Sequence, residues 1–187
     1  MGDIVKSIKQ KIEGGATTDD YDLVEMLLDA SEKVKTQKLL LVAHSQGNFY
    51  ANAFYDIVVA PSDDGVGVSP DSLGVYSVAT PANRVGGGGR HLTSETDKVI
   101  AGVAGSVPFY RIMPPNTRIE LGDGDDVLGH NFSNVYLKYR GAEIVRDIEE
   151  TLGRLTTPGA QSASTPFDKG DATSICIRPP KLTMRHK

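Results

Sequence analysis

A chain of 187 residues, 39% hydrophobic and 24% charged, has room for one domain with a sizeable core and leaves little for a second. Its formal net charge of −4 argues against a nucleic-acid surface, because no Lys/Arg cluster is present to neutralise phosphates. No apolar run approaches the roughly 20 residues needed to span a bilayer, and the first residues lack the continuous apolar core of a signal peptide.

The first predicted elements are helices. Residues 3–13 place Ile4, Val5, Ile8 and Ile12 on one face, and Gly14-Gly15 ends the run. Thr17-Thr18-Asp19-Asp20 is a capping cluster, after which Tyr21, Val24, Leu27, Leu28 and Val34 continue at helical spacing. Residues 39–42 then form a short apolar run that reads as a strand buried on both faces, as in a parallel sheet. It ends abruptly at Ala43-His44-Ser45-Gln46-Gly47, and a helix-compatible segment follows at once, up to Val59 and the stop at Pro61.

Residues 61–72 form a polar loop, and 73–78 read as the next strand. The run Gly86 to Gly89 reads as a surface loop, since no lysine or helix signature follows to make it a phosphate cradle. Residues 91–94 give a short strand leading to Glu95-Thr96-Asp97, and 109–112 suggest another. From Ser133 the pattern is helical again, with a weak point at Gly141, and Ile144, Ile148, Leu152 and Leu155 line one face. Beyond Thr156 the composition turns to Ser, Thr, Pro, Gly and charges. The expected organisation is therefore an α/β domain over residues 1–155, a parallel sheet flanked by helices, with a poorly ordered tail over 156–187.

Ser45 stands where a sharp strand-to-helix turn is expected. Small residues two positions either side, Ala43 and Gly47, suit a place where the chain passes close to itself. Such a turn exposes the hydroxyl at the positive end of the next helix, which suits a nucleophile. A serine nucleophile needs a base, and the base needs an acid to hold its tautomer. In a parallel sheet these groups meet beyond the carboxyl ends of strands. Asp97 follows the 91–94 strand, and His130 lies in Leu-Gly-His-Asn-Phe ahead of the last helix. Glu95, Asp123, Asp125 and Asp126 are rival acids. His91 falls within a strand, His186 in the tail, and His44 inside the turn itself, which leaves His130 as the base. The acidic run 122–126 lacks the spacing of an EF-hand. The four histidines show no metal-ligand spacing, and Cys176 has no second cysteine, so neither a metal, a cofactor nor a disulfide is expected.

The ordered set Ser45, Asp97, His130 resembles the α/β-hydrolase superfamily, nearest to lipases and esterases, over approximately residues 20–155. Ala43-His44-Ser45-Gln46-Gly47 is similar to that family's nucleophile elbow in its alanine-first form. Asp97-Lys98-Val99-Ile100 resembles its acid loop, and Gly129-His130-Asn131-Phe132 its histidine loop. The resemblance implies a serine esterase acting on an acyl ester or lipid-like substrate, an acyl-Ser45 intermediate, and the Gln46 N–H as the first oxyanion donor. It leaves lipase, esterase, thioesterase and peptidase open. The family's second donor and early strands lie upstream of the elbow, where residues 1–37 offer only helical patterns. The expectation is thus an N-terminally shortened hydrolase domain, set against a non-catalytic α/β-hydrolase-like fragment or binding scaffold.

Overall fold

Leu39–His44 forms β1, Gly47–Val59 forms helix α1, and Leu73–Val78 forms β2. The computed structural model describes residues 26, 29–59, 68–106 and 109–158. His91–Leu92 forms β3, Lys98–Ser106 helix α2, and Lys138–Arg154 helix α3, the last entered through a π-helical turn at Phe132–Leu137. The described strands make one sheet in the order β1-β2-β3, all parallel. β1 and β2 run in register from Leu39 opposite Leu73 to His44 opposite Val78. β3 pairs only through Ser77–His91 and Val78–Leu92, and one bridge, Ser94–Thr117, extends its line.

Parallel neighbours cannot be joined by a tight turn, so each connection must cross the sheet. The alternation of β2 shows where the two crossing layers sit. Leu73 and Val75 point towards α1, packing with Phe54 and Ala51, while Tyr76 and Val78 point to the opposite layer with Ile144 of α3. Val75, Tyr76 and Val78 are fully buried. Burying a side chain of this size stabilises by roughly 1.5–3 kcal/mol, so β2 is the spine of the molecule. Arg90, just before β3, ties α3 to the sheet by bonding Asp147 at 2.6 Å and Glu150 at 2.8 Å, and Tyr76 donates to the same Asp147.

The glycine run is a packing feature. A Cβ on Gly86 would lie 2.9 Å from Tyr55, and one on Gly89 only 1.9 Å from the Val75 carbonyl oxygen. At Gly86 and Gly89 the loop is pressed against α1 and β2, and a side chain has no room there, whereas Gly88 faces open space.

Several elements depart from the sequence pattern. β1 is not buried on both faces: Val42 is 43% exposed, because among the described residues β1 has a strand on one side only. Residues 109–112 form no strand. Phe109 is fully exposed with φ +65°, and Pro114 and Pro115, lacking N–H groups, cannot prolong a ladder. The sequence pattern marks no helix at α2. Gly141 does not weaken α3, which runs through it unbroken. The predicted helix at 3–13 and the tail beyond 158 lie outside the described residues, as does most of the segment from 17 to 28. Within the rest, 29–33 are helical and Val34 is fully buried against the α1 layer. No described helix is long and apolar enough to cross a membrane.

Candidate active site

At the end of β1 the backbone turns sharply, and Ser45 adopts φ +54°, in the left-handed region that a residue with a Cβ rarely enters. Such a conformation costs on the order of 1–3 kcal/mol and persists only where the surroundings over-determine it. Here they do. The Ser45 N–H donates to Val78 O at 3.1 Å, holding the turn to the end of β2. The buried Asn48 amide donates to Ser45 O at 2.8 Å and to Val78 O at 3.2 Å. Ala43 and Gly47 do approach one another, but less tightly than the sequence suggests: a Cβ on Gly47 would sit 4.0 Å from that of Ala43, an ordinary contact.

The carboxylate comes from the turn after β3. Asp97 is 1% exposed and does two jobs at once. Its Oδ1 caps α2, accepting the N–H groups of Val99 and Ile100, each at 3.0 Å. Its Oδ2 faces His130. One oxygen thus caps the helix while the other faces the histidine.

The histidine arrives on a loop shaped by Asp126. Asp126 Oδ2 accepts the N–H groups of His130 (3.0 Å) and Asn131 (3.1 Å), and Oδ1 that of Leu128 (3.1 Å). Burial alone pushes the Asp126 carboxyl up, yet these backbone donors outweigh it and hold the group below its ordinary range. Gly129, at φ +67°, lets the loop lie against the acid turn, since a Cβ there would stand 2.9 Å from Thr96 O.

These three loops bring together Ser45, His130 and Asp97. His130 Nδ1 lies 2.8 Å from Asp97 Oδ2, and Nε2 lies 2.8 Å from Ser45 Oγ. A carboxylate only accepts, so Nδ1 carries the proton and Nε2 offers a lone pair to the serine O–H. The carboxylate is sealed from solvent while Ser45 stays partly exposed. Gln46 follows Ser45 directly and immediately precedes α1, at the helix end where the dipole is positive.

Three of the rival acids are committed to other partners. Glu95 pairs with Arg118 at 3.6 Å on the surface. Asp125 accepts from Lys138 at 2.7 Å and from Tyr139, contacts that hold it down at about 2. Asp126 serves the loop backbone, as described above. His91 bonds to Pro114 O at 3.0 Å, away from the serine. Among the described residues no group of three metal-ligating side chains converges.

Two residues acquire roles that the sequence does not signal. His44 packs against His130, ring centroids 4.8 Å apart and planes tilted by 42°, and donates from Nε2 to His130 O at 2.9 Å. Burial, with repulsion from His130 second, pushes the His44 imidazole down to about 4, so it is neutral at pH 7. Tyr136, buried in the π-helical turn, donates its hydroxyl to Asp97 Oδ2 at 2.9 Å. Burial, then the adjacent carboxylate, raises that hydroxyl's pKa well above the ordinary tyrosine value. Neither has a sequence signature beyond lying near Ser45 or His130 along the chain.

Fold and site together define a parallel α/β sheet with a hydrogen-bonded serine, histidine and aspartate at the carboxyl ends of its strands. No protein-family model matches the chain, no curated protein matches it, and no solved structure matches it. A fold of this kind does not by itself fix a function, which lives in the chemistry of the site.

Proposed function

We propose that the chain is a serine hydrolase of the α/β-hydrolase type, lipase- or esterase-like, that cleaves carboxylic esters through an acyl-Ser45 intermediate. The observation that carries this reading is the pair of 2.8 Å hydrogen bonds linking Ser45 to His130 and His130 to Asp97. The strained φ of Ser45 supports it, since an unremarkable turn has no need of a left-handed serine.

The chemistry follows from the tautomer. His130 Nε2 takes the Ser45 proton as Oγ bonds to the ester carbonyl carbon, and the carbonyl π pair moves onto oxygen. The resulting oxyanion lies towards the Gln46 N–H and the positive end of α1. One such donor is worth about 3–4 kcal/mol of barrier. Collapse breaks the bond to the alkoxy oxygen, which leaves as the alcohol with the proton from Nε2. Water, deprotonated by the same nitrogen, then attacks the acyl carbon and releases the carboxylic acid, returning the proton to Ser45. Throughout, Asp97 steadies the imidazolium without taking its proton.

A second reading has one observation behind it. β1 has no partner strand on its outer edge among the described residues, and in hydrolases of this type the second oxyanion donor arrives from that side. On that reading the chain is a non-catalytic hydrolase-like fragment or scaffold. A fluorophosphonate probe separates the two. The hydrolase reading expects covalent labelling that disappears in Ser45→Ala; folded wild-type protein that takes no label would sink it.

A further inference from the structure

Asp97 Oδ2 accepts a hydrogen bond that a serine–histidine–aspartate relay does not itself require. The Tyr136 hydroxyl donates to it at 2.9 Å, on the same oxygen that receives His130 Nδ1–H. The direction is fixed by the partners. The Ser94 N–H donates to the Tyr136 oxygen at 3.1 Å, and a carboxylate only accepts, so the tyrosine proton points at Asp97. Tyr136 is fully buried. It comes from the π-helical turn that begins two residues after His130, where Tyr136 N–H reaches back to Asn131 O at 3.2 Å. An α-helical turn holds fewer residues and would carry the ring round to another face, and π-turns are concentrated at functional sites.

We infer that Tyr136 is a positioning residue for the acid, an inference that rests on the hydrolase reading. Asp97 is gripped at three points that do not involve His130: two α2 amides on Oδ1 and the tyrosine on Oδ2. The carboxylate cannot rotate about its last bond when the imidazole gains or loses charge. The tyrosine dipole also draws off part of the negative charge that Oδ2 presents to the imidazolium, so Tyr136 sets how strongly that cation is stabilised. The histidine loop and the turn behind it thus deliver both the base and the group that aims the acid at the base.

Tyr136→Phe keeps the ring and removes only the hydroxyl. With p-nitrophenyl butyrate as probe, the variant is expected to lose about ten-fold in kcat with little change in KM. The acid limb of its kcat/KM profile should move to higher pH, because a less shielded carboxylate favours the imidazolium. In an Asp97→Asn background the same change should have little further effect on kcat. A merely structural tyrosine would leave the limb in place and add its cost to that of Asp97→Asn, and either result overturns the inference. A readout independent of turnover is the low-field proton resonance of His130 Nδ1–H. It should shift in Tyr136→Phe; an unmoved resonance refutes the positioning role. If the wild type takes no fluorophosphonate label, the hydrolase reading fails, while this resonance still decides the contact with Asp97. Should Tyr136→Phe not fold, 3-fluorotyrosine at position 136, a stronger donor, must move the resonance in the opposite sense from a weaker one; no movement counts against the inference.

Discussion

His44 shows how one side chain can be chosen for being uncharged. Its ring is packed on His130 and close to Phe132, and its Nε2–H is committed to the His130 carbonyl. A second imidazolium 4.8 Å from the first would oppose the charge that His130 takes up in the proposed reaction. The depressed value of about 4, against an ordinary 6.5, has a consequence for stability. Between these two values the unfolded chain binds a proton that the folded chain refuses. The contribution of His44 is therefore complete above pH 6.5 and is lost as pH falls towards 4. It amounts to about 3 kcal/mol at full effect. Urea unfolding at pH 7 and pH 4.5 should show wild type losing about 2–3 kcal/mol more than His44→Gln across that interval. Equal losses in the two proteins would mean that His44 is not held neutral by its surroundings.

At the level of elements, glycines separate a tight site from a tolerant one. Gly89→Ala drives a Cβ onto the Val75 carbonyl, where backbone must move, and is expected to cost at least about 3 kcal/mol or to prevent folding. Gly47→Ala meets only an ordinary contact with Ala43 inside a helix. Thermal melts should place it level with wild type or more stable by about 0.4–1 kcal/mol. A Gly47→Ala protein that fails to fold would show the elbow to be tighter than its geometry implies. This contrast also marks what the sequence makes legible. Local apolar runs closed by turn residues announce β1, α1 and β2, because there the burial pattern and the stop signals agree. α2 is hidden because Gly102, Gly105 and Ser106 dilute its apolar face, although Asp97 ahead of Val99, Ile100 and Val103 is a usable cap signal. Phe109, Tyr110 and Ile112 mislead in the other direction, since among the described residues no strand pairs with them. For the site, Ser45, Asp97 and His130 stand out through order and loop context. Asp126, His44 and Tyr136 do not, because their roles exist only once loops distant in sequence are laid side by side.

Across the described residues, one apolar cluster lies at the end of the sheet away from the candidate site. Ser45, Asp97 and His130 gather beyond the carboxyl ends of the strands. At the other end Leu73, 1% exposed, opens β2 and packs with Ala30, Val34 and Phe54. Because all the described strands are parallel, their carboxyl ends all point to the side that carries the candidate site. Leu73→Ala should therefore destabilise by about 2–5 kcal/mol through lost burial and the cavity left behind. It should leave Ser45 untouched. The measurement is a urea midpoint for stability, set beside the rate of fluorophosphonate labelling in conditions where the variant is still folded. A lowered midpoint with an unchanged labelling rate per folded molecule is the expected outcome. A labelling rate that falls ten-fold in folded Leu73→Ala would mean that the base of β2 sets the geometry of the elbow, and that the two ends of the sheet are mechanically one.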